Sequence, residues 1–366
     1  MDSEERTMKL GMRAAMVVLA GLAGGIVIPA RGQTLREGAE SAEVLVGTAV
    51  RAEQLSEAAY AATLAREYNL MEPEDALKWW VLRPDRETFD FRQGDEIVGF
   101  AQAHGMKVRG HCLLWGRSNP AWLTSGSFTA EQLAHLAQQH IARVVGHYAG
   151  KVFAWDVVNE ALDENGEARD SIWNTGQDGK DRATTTEYIA QAFRWAHQAD
   201  GKALLFYNEA EAEGLGRKSD AVYAMLKDFR ARGVPVDGVG LQMHIADLHA
   251  DVPAVAANIA RLSKLGLQVH ITELDVALPV DAEGNLRDPK DLEKQAEIYA
   301  GIVRACLQNQ DCTAIQTWGF SDKYSWIGSS SRKTRGWGLP FDRTYQKKPA
   351  YQAILRTFGE HGRRRK

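Results

Sequence analysis

The amino-acid sequence predicts a single (β/α)₈ barrel behind an N-terminal leader. Three observations lead there. Strand-like runs and helical patterns alternate along the chain, eight strands fall within one unit of about 330 residues, and no Pro- or Ser-rich linker divides that unit. A doubly wound open sheet is the alternative. It would need a Gly-rich phosphate turn after the first strand, whereas the glycines of "GLAGG" sit inside the leader.

The leader comes first. Lys9 and Arg13 precede an apolar run of 15 residues, Ala14 to Ile28, and the small residues Ala30 and Gly32 suggest cleavage before Gln33. That run is short of the ~20 residues that span a bilayer, so an export signal is expected over residues 1–32 rather than an uncleaved anchor. The residues ahead of Met8 are acidic, which makes Met8 an alternative start. The expected divisions are the signal (1–32), an N-terminal lead (33–42), the barrel (43–358) and a basic tail (359–366). The expected location is secreted or periplasmic.

The strands follow in order: "VLVGTAV" (44–50), a weaker run around "YNLMEPE" (68–74), "KVRGHCLLW" (107–115) and "KVFAWDVVN" (151–159). The second half adds "ALLFYN" (203–208), "VDGVGLQMH" (236–244), "LQVHITE" (267–273) and "TAIQTWGF" (313–320). All but the second are rich in branched or aromatic residues, as buried parallel strands are. Between them, "TAEQLAHLAQQHIARVVGHY" puts Leu133, Leu136, His140 and Val144 on one helical face, with Thr129 and Gln132 as a capping box. "TTTEYIAQAFRWAHQ" repeats the device with Thr184 and Glu187.

Composition narrows the function. Of 366 residues, 45% are hydrophobic and 25% charged, and the formal net charge is -4, which argues against a polyanion partner. The tail "GRRRK" reads as a solvated end rather than a nucleic-acid arm. No CxxC pair or HExxH is present, so a metal site has no support. Cys306 and Cys312, in "CLQNQDC", are expected to form a disulfide in an exported protein, leaving Cys112 free and buried.

The strands share an unusual feature: they end polar. Lys78 and Trp79 follow the second, His111 and Trp115 lie near the end of the third, and Asn159 and Glu160 end the fourth. Tyr207 and Asn208 end the fifth, Gln242 and His244 the sixth, and Glu273 and Asp275 the seventh. Trp318 and Trp326 lie on and after the eighth. One such residue is ordinarily a helix cap or a surface ion-pair partner. Seven successive strands ending this way indicate a cleft at the C-terminal rim, where barrels of this kind hold their active sites. Two carboxyls facing each other across a cleft lined with Trp, Asn, His and Gln suit glycosidic bond cleavage. One must supply a proton to the leaving oxygen, and the other must stay ionised on the opposite face of the sugar.

At this point the residues resemble a known family. "RGHCLLW", "WDVVNEAL", "GLQMH", "ITELDV", "WGFSDKYSW" and "KKPAY" together look like glycoside hydrolase family 10, over roughly residues 43–358. The resemblance implies a (β/α)₈ barrel and a retaining endo-β-1,4-xylanase, with Glu160 as general acid/base and Glu273 as nucleophile. It implies His244 as a donor to Glu273, with Asp275 orienting the imidazole, and Asn159 as a donor to the sugar 2-hydroxyl. Lys78 and His111 are implied to bind the sugars on the non-reducing side of the cut, with Gln242 supporting the nucleophile side. Trp318 and Trp326 are the implied apolar wall, and Trp115 has equal weight as core or site. The implied partner is xylan or xylo-oligosaccharide, with no cofactor, no nucleic acid, no membrane after signal cleavage, and a monomeric state.

The sequence also departs from the family pattern. Asp75 stands where Asn is usual, Gly116, Arg117 and Ser118 replace His-Ser-Gln, and "YNEAE" replaces "YNDYN". Asp75 lies three residues before Lys78, where it can pair with that side chain and divert it from the sugar. These changes keep two other readings open: a related retaining glycosidase acting on glucans or short oligosaccharides, and a non-catalytic sugar-binding barrel.

Overall fold

In the computed structural model, which describes residues 33–174 and 182–365, the strands run parallel and close on themselves. Among the described residues the barrel strands are β1 (Leu45–Val50), β2 (Leu70–Pro73), β3 (Lys107–Gly110), β4 (Ala154–Asn159), β5 (Leu204–Glu209), β6 (Gly238–Leu241), β7 (Gln268–Val276) and β8 (Cys312–Thr317). Closure is direct: β8 pairs with β7 through Val269↔Cys312 and with β1 through Leu45↔Ala314. A helix follows each strand and packs its apolar stripe on the outer face of the barrel. The expected (β/α)₈ architecture is therefore the observed one.

Two strands are shorter than their sequences suggest. The run 107–115 leaves the ladder after Gly110 and pairs again only at Leu114↔Val158 and Trp115↔Asn159. Gly110 lies against the indole of Trp155, and a Cβ there would sit 2.3 Å from Trp155 Cε3. The interruption turns His111 inward, where its imidazole meets Asp156. The run 236–244 likewise divides into β6 and a two-residue strand, His244–Ile245, paired to the end of β7.

The helix Ala130–His147 carries the expected capping box, with Thr129 and Gln132 each accepting the other's backbone N–H. Leu133, Leu136, His140 and Val144 are all buried. The second box is corrected: its helix begins at Arg182, so Thr184 lies within the first turn, and its side chain is outside the described residues. The leader 1–32 is also outside them. The lead residues form a helix, Leu35–Ser41, capped by Thr34 and packed on the last helix, Pro349–Arg365, which continues through most of the basic tail. Cys306 and Cys312 are joined, tying the end of the helix Asp291–Leu307 to the start of β8, and Cys112 is free and buried.

Candidate active site

The two glutamates meet at the C-terminal rim. Glu160 follows β4 with a φ of +52°, a left-handed turn that is unusual for a residue with a side chain. Its Oε1 accepts from Gln242 Nε2 at 3.0 Å. Its Oε2 has the Arg117 guanidinium 3.9 Å away. Glu273, on β7, is only 4% exposed. Asn208 Nδ2 donates to its Oε1 at 2.7 Å, and His244 Nε2 lies 3.1 Å from Oε2.

His244 is held from its other side by Asp275, with Nδ1 2.9 Å from Oδ2. Burial alone would lower the imidazole's pKa, but Asp275 and Glu273 outweigh it and raise the group well above its usual value. A protonated His244 donates from both nitrogens, so it places a positive charge against Glu273. Asp275 Oδ2 also accepts from Trp326 Nε1 at 2.8 Å, and the Trp326 ring lies edge-on to His244 at 4.8 Å. The expected order Glu273–His244–Asp275 is thus present.

Acceptor-only chemistry at an ionised Glu273 fixes the amides beside it. Asn208 must present its Nδ2, and its Oδ1 accepts from Thr272 Oγ1 at 2.8 Å. The same Nδ2 donates to Asn159 Oδ1 at 2.9 Å, and Gln242 Nε2 donates to that oxygen at 3.2 Å. Asn159 Oδ1 is filled, so its own Nδ2 is left to donate into the cleft. One chain of bonds therefore runs from Glu273 through Asn208, Asn159 and Gln242 to Glu160. Gly240 is required for it, since a Cβ there would lie 2.1 Å from Asn208 Oδ1.

Two expectations change here. Gln242 does not support the nucleophile through its side chain, which reaches Asn159 and Glu160; only its backbone carbonyl serves Glu273, by accepting that residue's N–H. Asn208, read from sequence only as a polar strand end, is the centre of the network. The signal that points to it is register: in parallel pairing Asn208 stands opposite Asn159 on one side and Gly240 on the other.

The other expected residues gather along the same rim. Lys78 Nζ bonds Asp75 Oδ1 at 3.1 Å and lies over the rings of Trp115 and Trp318, at 5.1 and 5.5 Å from their centroids. Asp75 also approaches Arg51 Nε at 3.4 Å. Trp115 and Trp318 both meet the imidazole of His111 edge-on, Trp318 at 5.2 Å. His111 is buried, with Nδ1 3.0 Å from Asp156 Oδ2.

Beneath the rim lies a charged layer absent from the sequence reading. Glu72, His111 and Asp156 bring ligand-type atoms within 4.8 Å of one another. The cationic position is already taken by Arg109, whose Nε donates to Asp156 Oδ2 at 3.0 Å while Nη2 binds Oδ1. Burial opposes ionisation of Asp156, yet Arg109 and His111 hold it low, at about 2. Burial and the Asp156 charge push Glu72 well up, against His111 and Arg109, which pull it down.

The sequence model of glycosyl hydrolase family 10 matches residues 34–357. Endo-1,4-beta-xylanase B of Thermotoga neapolitana is 37% identical over 295 residues, covering 81% of this chain and 82% of that protein. The crystal structure of native xylanase 10B from Thermotoga maritima superposes with a TM-score of 0.85 at 38% identity, covering 91% of this chain and 100% of its own. Xylanase 10B from Thermotoga petrophila RKU-1, solved in complex with xylobiose, gives 0.84 at 38%, covering 90% and 98%.

Proposed function

The chain belongs to glycosyl hydrolase family 10 and is a retaining endo-1,4-β-xylanase, and from that premise we propose that Glu273 is its nucleophile and Glu160 its acid/base. The bond chain between them carries the assignment, because it gives the two carboxyls different surroundings. Glu273 has the Asn208 amide on one oxygen and the His244 imidazole on the other, which fix the carboxyl in one orientation. Glu160 accepts the Gln242 amide on Oε1, and its Oε2, 3.9 Å from the Arg117 guanidinium, is the oxygen assigned to proton delivery.

In the first step the Glu273 carboxylate attacks the anomeric carbon as Glu160 protonates the departing oxygen. The covalent ester leaves no charge on Glu273, and Glu160, now ionised, takes a proton from the water that hydrolyses it. Asn159 Nδ2 is positioned to donate to the 2-hydroxyl of the sugar being cleaved. Lys78 and His111 bind the sugars beyond it, and Trp318, Trp326 and Trp115 form the apolar wall.

The substrate is xylan or xylo-oligosaccharide, and the residues named to bind and cleave it come from one barrel. The protein acts outside the cytoplasm. The leader sequence supports that location, as does the Cys306–Cys312 bond, of a kind that persists in oxidising compartments. Among the described residues no helix is long and apolar enough to cross a membrane.

The role assignment is tested by leaving group. Glu273→Ala is expected to abolish turnover on every substrate. Glu160→Ala should spare the first step on aryl glycosides whose leaving group needs no proton, while losing several orders of magnitude on xylan. Equal losses for the two variants on the activated substrate would reverse the conclusion.

A further inference from the structure

Behind the acid/base lies a second carboxyl that the mechanism above does not use. Glu209, at the end of β5, is fully buried. Its Oε2 accepts from the Tyr207 hydroxyl at 2.5 Å and from Leu162 N at 3.3 Å. Its Oε1 accepts from Ala210 N at 3.2 Å and has Lys218 Nζ 3.0 Å away. The Tyr207 hydroxyl in turn accepts from Ala161 N at 3.2 Å. The two peptide N–H groups directly after Glu160 are therefore anchored on this cluster, one directly and one through the phenol.

Those two anchors act on a strained point. Glu160 holds its left-handed φ without the freedom of glycine, and such a conformation persists only where its neighbours fix it. Glu160 N bonds Asn208 O at 3.0 Å on one side of the turn, and Arg169 ties the Glu160 and Leu162 carbonyls from above at 3.2 and 2.9 Å. The Arg169 N–H adds a bond to Ala161 O at 2.9 Å, and Glu209 and Tyr207 hold the Ala161 and Leu162 N–H groups from the barrel side. Lys218, on the helix Arg217–Ala231, brings its ammonium 3.0 Å from Glu209 Oε1.

We propose that Glu209, with Tyr207, is a positioning residue for the acid/base: it locks the Glu160–Leu162 turn so that the Glu160 carboxyl faces the leaving oxygen. This inference rests on the assignment of Glu160 as acid/base. The family pattern has Asp at this place; the longer Glu209 reaches the Leu162 N–H with its extra methylene.

A positioning role predicts a loss that depends on the leaving group, which general destabilisation would not produce. Glu209→Gln and Tyr207→Phe are to be compared with the parent enzyme and with Glu160→Ala, by kcat/KM on xylohexaose and on 2,4-dinitrophenyl β-xylobioside. Both variants should fall at least tenfold on xylohexaose and less than threefold on the activated glycoside, whose departure needs no proton. Tyr207→Phe leaves the charge pair intact and decides the matter if Glu209→Gln fails to fold. Losses of equal size on the two substrates, or no loss in either folded variant, overturn the proposal. If Glu160→Ala itself shows no dependence on leaving group, the acid/base assignment has failed instead.

Discussion

Asp75 is the departure from the family pattern whose consequence the structure makes measurable. Lys78 Nζ lies 3.1 Å from Asp75 Oδ1, and the two side chains are 8% and 25% exposed. At that distance the gross attraction is about 5 kcal/mol for an effective dielectric of 20. Desolvation and side-chain ordering offset most of it, and pairs with a partly exposed member typically contribute ~1 kcal/mol or less. Replacing Asp75 with Asn keeps an oxygen acceptor for Lys78 but removes the charge that holds it.

One donor of Lys78 then becomes available to a sugar hydroxyl, at ~0.5–1.5 kcal/mol for a hydrogen bond gained. That corresponds to a rise of roughly 2- to 12-fold in kcat/KM on xylotriose, which spans few subsites. Long xylan, held at further subsites, should gain less, and adding Ser118→Gln should widen the difference. Stability should change little, because Arg51 keeps Glu74 at 2.6 Å. The assay is the ratio of kcat/KM on xylotriose to that on xylan, for parent and variant. An unchanged ratio would refute the idea that Asp75 diverts Lys78.

Two further predictions concern pH and the disulfide. His244 is raised above its usual 6.5, so the stability from its pairing is complete below that pH and is lost as pH rises through the elevated native value. Asp275→Asn removes a charge that raises it, so the His244 imidazole should titrate at lower pH when followed by NMR; an unmoved titration excludes Asp275 as the cause. Replacing Cys306 and Cys312 together by Ala opens a short loop and should cost about 2 kcal/mol, read as a fall of roughly 3 °C in Tm. Activity at 25 °C should be unaffected, since the bond joins the helix Asp291–Leu307 to the far, N-terminal end of β8.

The strands, the rim and the pair of glutamates were legible because each rests on local pattern. A run such as "VFAWDVV" is apolar on both faces but for Asp156, as a parallel strand covered by barrel and helices requires. Polar residues at seven strand ends converge because parallel strands all point the same way. Glu273 and Asp275 could be joined to His244 on the resemblance alone, and the distances agree. What pattern could not supply was irregularity. Between Ile315↔Ile271 and Thr317↔Leu274 the register slips, so three steps on β7 oppose two on β8. That bulge lets adjacent residues, Thr272 and Glu273, both reach Asn208, which strict alternation would forbid.

Side-chain partners are harder to read from a sequence than strand positions, because they lie far apart along the chain. Asn208 bonds residues 49, 64 and 65 positions away, and its meaning lies wholly in those contacts. Glu209 enters the sequence reading only as part of "YNEAE", a departure from the family pattern with no role attached. Burial gives it weight: it pushes the carboxyl up to about 7, against Lys218 and Tyr207, which pull it down. A buried acid at such a cost needs a compensating task, and its bonds lead to the backbone of Glu160. Gln242 makes the complementary point. It follows β6, and a strand-by-strand reading assigns it to its neighbour β7, yet its side chain crosses the rim to β4. Strand order determines which backbones pair. Which side chains meet above the barrel depends on the strands' tilt and on whether small residues such as Gly240 leave them room.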